Sequence, residues 1–121
     1  EPIMIDADLT FRNFDAKLFE LVKSLAPFGE GNPKPLFRFL DAVPKHIEVF
    51  GKAKEHTKVL FESSAGPVTA IAFFKKPEQF GEGLMVGVPQ TLLAHVEESF
   101  FMNRRERRLR IVDILPQVDR I

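Results

Sequence analysis

Cysteine, tryptophan and tyrosine are all absent from the 121 residues of this chain. Without cysteine, neither a disulfide framework nor a thiolate metal site can form, and we expect a cytoplasmic protein. Long apolar runs are absent too, because the longest, residues 68–74, is far shorter than the roughly 20 residues that a membrane-spanning helix needs. With no basic-then-apolar signal at the start of the chain, we expect no membrane partner.

Net charge is also absent, because 17 Lys and Arg residues balance 17 Asp and Glu residues. A neutral chain is not typical of a nucleic-acid-binding protein. The charges are nevertheless segregated, since residues 1–30 and 61–98 each carry a net −3 and residues 31–60 and 99–121 each carry a net +3. We therefore expect separate acidic and basic regions on the folded surface.

The composition that remains is globular, with 45% hydrophobic and 28% charged residues, at a length that suits one domain. The chain begins with Glu rather than Met, which we interpret as the sign of a piece of a longer protein. We expect two parts, an N-terminal helix and connector over residues 1–35 and a β-barrel over residues 36–121.

The N-terminal part has the pattern of one amphipathic helix. Asn13 is a candidate N-cap, and the negative charge of Asp15 is favourable in the first turn of the helix. Pro27 ends the helix because it lacks an N–H. Five apolar residues have the spacing of a single helical stripe: Phe14, Leu18, Leu21, Val22 and Leu25.

The remainder of the chain has the pattern of five β-strands. Residues 36–50 predict one long strand bent at Pro44, residues 57–62 alternate, and residues 68–74 are nearly all apolar. Residues 84–98 favour a fourth strand, although Leu92 to Val96 also fit a helix, and residues 109–115 favour a fifth. The pattern predicts a mainly β protein: a five-stranded antiparallel barrel preceded by one α-helix, with Phe61 and Phe73 in its core.

Helix and barrel are joined by an unusual segment, LAPFGEGNPKPLF, residues 25–37. A dinucleotide-binding fingerprint needs a strand before its glycines and a helix after them, and here the order is reversed. We interpret the segment as a rigid connector in which Gly29 and Gly31 adopt backbone angles that other residues resist, while Pro33 and Pro35 keep the exit extended. The residues assigned to the connector are Pro27, Phe28, Gly29, Gly31, Asn32, Pro33 and Pro35.

This segment, followed in order by GKAKEH, a lysine-containing alternating strand, AIAF and LRIVDI, resembles the C-terminal OB-fold domain of the RecJ single-stranded-DNA-specific exonucleases. The resemblance runs from Ile5 to Leu115. It implies an OB barrel that helps to hold a DNA strand near catalytic DHH and DHHA1 domains of the same chain, which bind Mn²⁺ or Mg²⁺ and cleave 5′ to 3′.

The Asp-His-His signature of those catalytic domains does not occur in this sequence. We therefore expect no catalytic residue, no enzymatic activity and no cofactor in this chain by itself. The family's usual Trp near the last turn is missing as well, and Phe100, Phe101 and Asn103 occupy that region.

OB barrels bind oligonucleotides on the face of their second and third strands and through the loops that join strands 1 to 2 and 4 to 5. Here those loops are GKAKEH, residues 51–56, and MNRRERR, residues 102–108, the two strongest clusters of positive charge. We predict that the loops meet over one face and hold phosphates while bases stack on aromatic rings such as Phe101. Between the loops, the side chains of Lys58 and Arg110 are predicted to point outward from their strands. The predicted nucleic-acid-binding residues are Lys52, Lys54, His56, Lys58, Phe101, Arg104, Arg105, Arg107, Arg108 and Arg110.

Three hypotheses for the partner remain open at this point. The first is single-stranded DNA. The second is a protein, either the catalytic core or a single-strand-binding protein, with an acidic segment facing the basic loops. The third is RNA. A metal is not expected, because His46, His56 and His95 lack the spacing of metal ligands.

Overall fold

The computed structural model describes residues 5–117, apart from the side chains of residues 82, 83 and 101. The expectation of a mainly β protein with one α-helix is confirmed. In chain order the elements are β1 (Ala7–Leu9), a 3₁₀ helix (Phe11–Asn13), α1 (Ala16–Leu25), β2 (Phe37–Ala42), β3 (Pro44–Phe50), β4 (His56–Phe61), β5 (Val68–Ala72), a second 3₁₀ helix (Pro77–Gly83), β6 (Gln90–Phe101) and β7 (Arg104–Pro116).

The helix α1 begins later than the sequence pattern indicates. Its N-cap is Asp15, whose carboxylate accepts the backbone N–H of Leu18 at 3.1 Å, so the prediction of Asn13 is wrong. Phe14 therefore precedes the helix, although it packs against the core together with Leu18 and Val22 of the predicted stripe. The helix buries Leu18 and Phe19, whereas two residues of the predicted stripe are exposed, Leu21 and Leu25.

The strands form one sheet of seven strands in the order β1-β2-β6-β7-β5-β4-β3. The predicted five-stranded antiparallel barrel is therefore wrong in strand number, in direction and in closure. Two pairings, β1 with β2 and β5 with β7, are parallel, and β1 and β3 are the two ends of the sheet. Strand β1 was not expected because three residues are too few to show an alternating pattern.

The long strand predicted over residues 36–50 is in fact two strands, β2 and β3, separated only by Val43. The two strands pair with different neighbours, β2 with β6 and β3 with β4. One residue spans at most about 3.6 Å, so the sheet must curl until β2 and β3 are adjacent in space. The Glu62 N–H donates to the carbonyl of Val43 at 3.0 Å and holds this bend.

The inner side of the curled sheet contains the hydrophobic core. Phe39 and Phe61 are fully buried, and the ring of Phe11 lies 5.4 Å from each of them, measured between centroids. The predicted alternation in β4 is confirmed, because Val59 and Phe61 point inwards with Thr57. The outer side of β4 therefore carries Lys58.

The connector is held by a side chain rather than by glycine conformations. Positive φ among the described glycines occurs at residues 51, 66, 81 and 87, so the interpretation of Gly29 and Gly31 is wrong. The Asn32 amide donates to the carbonyls of Leu25 at 2.6 Å and Pro27 at 2.8 Å. Asn32 thereby satisfies a carbonyl that the end of α1 leaves without an intrahelical partner.

Candidate nucleic-acid interface

The arginine-rich segment is a strand rather than a loop. Phe101 pairs with Arg104, so Met102 and Asn103 alone form the turn between β6 and β7. Their φ angles of +51° and +63° suit a two-residue hairpin turn. The prediction of a polar loop over residues 102–108 is therefore wrong. Glutamates on β6 pair with arginines on β7 and allow so many cations to lie in one strand.

One face of this hairpin is organised around Glu98. Its carboxylate lies 2.7 Å from Lys23 Nζ of α1, 3.0 Å from Arg107 Nε and 3.9 Å from Arg105 Nη1. The hydrogen bonds from Lys23 and then Arg107 hold the pKa of Glu98 below its ordinary value of 4.5. The guanidinium of Arg107 also lies 4.9 Å from the ring centroid of Phe19. The hairpin is thus attached to the helix through Lys23 and Arg107, while Arg105 contacts Glu98 of the hairpin itself.

The opposite face is organised around Glu97. Arg108 Nε lies 3.2 Å from Glu97 Oε2, and Arg110 Nη2 lies 3.1 Å from Glu97 Oε1. One carboxylate therefore serves two guanidinium groups, and this face keeps an excess of one positive charge. The arginines predicted to act together are divided between the two faces, with Arg105 and Arg107 on the helix side.

The other predicted basic loop does join β3 to β4. Lys52 and Lys54 are exposed there, and neither has an ion pair within the described residues. Gly51 opens the loop with a φ of +96°, and a Cβ at this position would lie 2.6 Å from Cδ2 of His56. Glycine is therefore required, because the His56 ring lies against the backbone of the turn.

The two basic segments do not meet, contrary to the prediction. Ile71 of β5 pairs with Arg110 of β7 in parallel register, and the β3–β4 loop lies beyond the carboxyl end of β5. Arg104 precedes Arg110 by six residues, which is about 20 Å along a strand. The hairpin turn and the β3–β4 loop therefore lie at opposite ends of the strands.

Between these ends, the outer side of the sheet carries a row of residues that we call the cationic row: Lys58, Ile71 and Arg110. Lys58 of β4 lies opposite Ile71 of β5 in the strand register, and Ile71 lies opposite Arg110 of β7. Neighbouring strands are about 4.8 Å apart, so the α-carbons of Lys58 and Arg110 are about 10 Å apart. Both side chains are partly exposed, at 38% and 36%. The predicted outward orientation of these two residues agrees with the structure.

Aromatic rings adjoin the cationic row and form what we call the aromatic cluster: Phe50, His56, Phe73 and Phe74. The His56 ring lies 5.1 Å from Phe50, 5.1 Å from Phe73 and 4.7 Å from Phe74, centroid to centroid. The Arg110 guanidinium lies 4.4 Å from the centre of the Phe73 ring. Phe73 is 39% exposed, so its assignment to the core is wrong. The cluster combines aromatic surface with cations, which is what binding of single strands needs.

His56 was predicted to contact nucleic acid, but both of its ring nitrogens have protein partners. Nδ1 accepts the backbone N–H of Phe74 at 2.9 Å, so in the neutral ring the proton is on Nε2. Nε2 lies 2.9 Å from Oε1 of Glu55 and donates to it. The ring is also largely buried, with 12% of its side chain exposed. His56 therefore organises the aromatic cluster from within.

The alternation of β5 contained a signal for this cluster that the sequence analysis missed. Val68, Ala70 and Ala72 point inwards, so period two directs Phe73 outwards. Because residues 68–74 are nearly all apolar, their composition does not show which of them point inwards.

The remaining predicted residues lie elsewhere. The side chain of Phe101 is outside the described part of the structure. His46 is exposed, with Nε2 3.5 Å from Glu48, and Nδ1 of His95 lies 2.8 Å from the carbonyl of Pro35. Within residues 5–117, no three His, Asp or Glu side chains cluster closely enough to hold a metal ion. In that same range, no helix has the length and hydropathy of a membrane span.

Comparison with known proteins identifies a curated relative of this chain. The chain is 30% identical, over 97% of its length, to the single-stranded-DNA-specific exonuclease RecJ of Haemophilus influenzae. It spans only 20% of that protein, so the relative has a large part with no counterpart here.

Solved structures and a family model give the same result. The fold is similar to RecJ of Thermus thermophilus in its Mn²⁺ and Mg²⁺ complexes, each with a TM-score of 0.61 and 20% identity over 85% of this chain. The match covers 14% and 15% of those chains, respectively. The model of the RecJ OB domain matches residues 5–113. The chain therefore belongs to the RecJ OB domain family.

Proposed function

We propose that this chain is the single-stranded-DNA-binding module of a RecJ-like 5′ to 3′ exonuclease. The observation that carries the proposal is the cationic row beside the aromatic cluster, in which Arg110 contacts Phe73 and Lys58 lies two strands away. Cations can follow a phosphate backbone, and aromatic rings can stack on bases of any sequence. The printed name of the Haemophilus relative, a single-stranded-DNA-specific exonuclease, supports the same substrate class.

The catalytic part of such an enzyme belongs to other domains in this proposal. The Mn²⁺ or Mg²⁺ chemistry that the family resemblance implies is assigned to the DHH and DHHA1 domains. The role of this chain is to hold the strand near them. Binding is expected to be weak for the domain alone, because its formal net charge is zero.

The binding surface differs from the one that the sequence suggested. Lys52 and Lys54 extend the cationic row at the β3–β4 end, and Arg104 and Arg108 extend it towards the hairpin turn. Arg105 and Arg107 have a structural role in this proposal, because they pair with Glu98 beside α1. In this proposal the bound DNA strand runs across β4, β5 and β7 rather than between two converging loops.

Titration of a labelled oligodeoxynucleotide at several salt concentrations tests the proposal. About four phosphate contacts give a slope of log K against log salt near −3, at about −0.7 per contact. Lys58→Ala is expected to make the slope shallower by about 0.7. Lys17→Ala is the matched control, because Lys17 is exposed on α1. A salt-independent affinity would contradict the proposal, and tighter binding of an RNA strand of equal length would favour RNA.

A specific observation also favours the second candidate, a docking function. A groove of about 550 Å³ lies between α1, the connector and β6, and its lining includes Val22, Phe28 and Phe100. Lys34 and Arg108 add positive charge to this lining, which suits an acidic segment of a protein partner. An acidic peptide titrated beside the oligonucleotide separates the two functions, since binding of the peptide alone would favour docking.

A further inference from the structure

Phe74 has an unusual combination of exposure and backbone conformation. It is 79% exposed, although it is a large apolar residue. Its φ angle is +57°, in the left-handed region that costs an ordinary residue roughly 1–3 kcal/mol and that bulky residues rarely adopt. Burial of the side chain does not repay that cost, so a different role for the ring has to be considered.

The position of Phe74 is fixed by His56. The Phe74 N–H donates to Nδ1 at 2.9 Å, and the two rings meet edge to face at 4.7 Å and 80°. Glu55 accepts a hydrogen bond from Nε2 of His56, and the absence of a side chain at Gly51 leaves room for the His56 ring. The exposed ring is therefore held in one place before any ligand arrives.

The surroundings of Phe74 are cationic. Phe73, the preceding residue, is covered by the guanidinium of Arg110, and the exposed Lys76 follows two residues after Phe74. The ammonium group of Lys75 instead lies 4.0 Å from Asp113 and 4.5 Å from the centre of the Phe80 ring. An aromatic ring flanked by cations is complementary to a base with its phosphate, since the base stacks while the phosphate is neutralised.

We propose that Phe74 is a preorganised stacking residue for an unpaired nucleobase and that His56 is its positioning residue. This inference rests on the proposed function and adds a defined base subsite to it. The Phe74 ring would contact a base only through its π-face, so the subsite should accept any of the bases. It should not bind a strand that lacks bases. Prior ordering of the ring reduces the cost of immobilising it on binding.

Two probes separate base stacking from phosphate binding: an oligodeoxythymidylate and an abasic deoxyribose-phosphate strand of the same length. The wild-type chain is expected to bind the first more tightly. Phe74→Ala is expected to lower the affinity for oligodeoxythymidylate by roughly 5- to 100-fold, as loss of one stacked base does, and to leave the affinity for the abasic strand unchanged. Phe100→Ala is the matched control, because Phe100 is 74% exposed but shares a face with Glu98.

The role of His56 is tested with two substitutions. His56→Asn places Oδ1 where Nδ1 accepts the Phe74 N–H, and it is expected to keep most of the preference for bases. His56→Leu fills the space without an acceptor, and it is expected to lose that preference. Circular dichroism and thermal unfolding check each fold, and a purely structural role would lower thermal stability in both variants without this difference in base preference.

The outcomes distinguish the inference from the proposed function. If Phe74→Ala binds both probes as the wild type does, with the same salt dependence, the stacking subsite is refuted and the phosphate-binding function stands. If the wild-type chain binds neither probe, both are refuted. If His56→Leu folds and keeps the full preference for bases, the positioning role of His56 is refuted, and the Phe74 result decides the subsite alone.

Discussion

The substitution Glu97→Gln tests which face of the β6–β7 hairpin meets nucleic acid. Glu97 pairs with both Arg108 and Arg110 on the face of the cationic row. Glutamine keeps an oxygen that accepts hydrogen bonds from the guanidinium groups and removes one negative charge. We therefore expect Glu97→Gln to bind single-stranded DNA more tightly than the wild type does.

The size of this effect follows from Coulomb's law. A phosphate bound to Arg110 would lie about 6 Å from the Glu97 carboxylate, since that carboxylate is itself 3.1 Å from Arg110 and a charge-assisted hydrogen bond adds about 3 Å. Two like charges at about 6 Å repel by about 0.7 kcal/mol in water and by about 2.8 kcal/mol at an effective dielectric constant near 20. The affinity should therefore rise by at least about threefold at low salt, and less as salt screens the charges.

Glu98→Gln is the matched control, because it removes the same charge from the neighbouring residue on the opposite face. Fluorescence anisotropy of a labelled oligonucleotide, at about 50 mM and about 200 mM salt, measures both variants, and urea denaturation measures their stability. An equal gain in affinity for both variants, or no gain for Glu97→Gln, would refute the assignment of the binding face. A gain for Glu98→Gln alone would place the DNA on the helix side.

Three further outcomes are expected. Phe39→Ala should lower the free energy of unfolding by about 3–5 kcal/mol, measured in urea, because Phe39 is fully buried; a loss below about 1 kcal/mol would contradict its place in the core. The folded-state pKa of Glu98 lies below 4.5, so its contribution to stability is present above pH 4.5 and is lost as the pH falls through the folded-state pKa. Urea midpoints measured down to acid pH should therefore fall less for Glu98→Gln than for the wild type, and parallel curves would be inconsistent with this. Phe74→Gly should leave thermal stability unchanged or slightly higher, because relief of roughly 1–2 kcal/mol of left-handed strain outweighs the roughly 0.5–1 kcal/mol that glycine costs in chain entropy; a clear drop in stability would show that the ring supports the fold.

The sequence was informative wherever one local rule decided the structure. The alternation of residues 57–62 predicted β4 and the outward side chain of Lys58, and the same rule predicted the orientation of Arg110. Pro27 marked the end of α1 because its missing N–H prevents continuation of the helix. The RecJ resemblance depends mainly on the sequence of the connector, which is recognisable without a structure. The backbone conformation of its glycines was not predictable in the same way.

The errors arose where long-range pairing overrode local composition. A run of arginines predicts a loop because charge favours solvent, but cross-strand glutamates stabilise Arg107 and Arg108 within β7. The division of residues 36–50 into β2 and β3 depends on which partners each half finds. Neither partner is encoded within the segment itself, so no local pattern could reveal the division.

The distribution of carboxylates explains how a chain with no net charge can still present a cationic surface. Glu97 and Glu98 each serve more than one cation, so the pairing that stabilises the hairpin leaves positive charge in excess on both of its faces. The excess on the helix face is shared with Lys23 and lies beside α1, whereas the excess on the other face adjoins Phe73 and Lys58. Since only the second face combines excess positive charge with the aromatic cluster, the zero net charge bears on how strongly the domain alone binds but does not locate the binding face. The binding face follows from the side on which each glutamate lies.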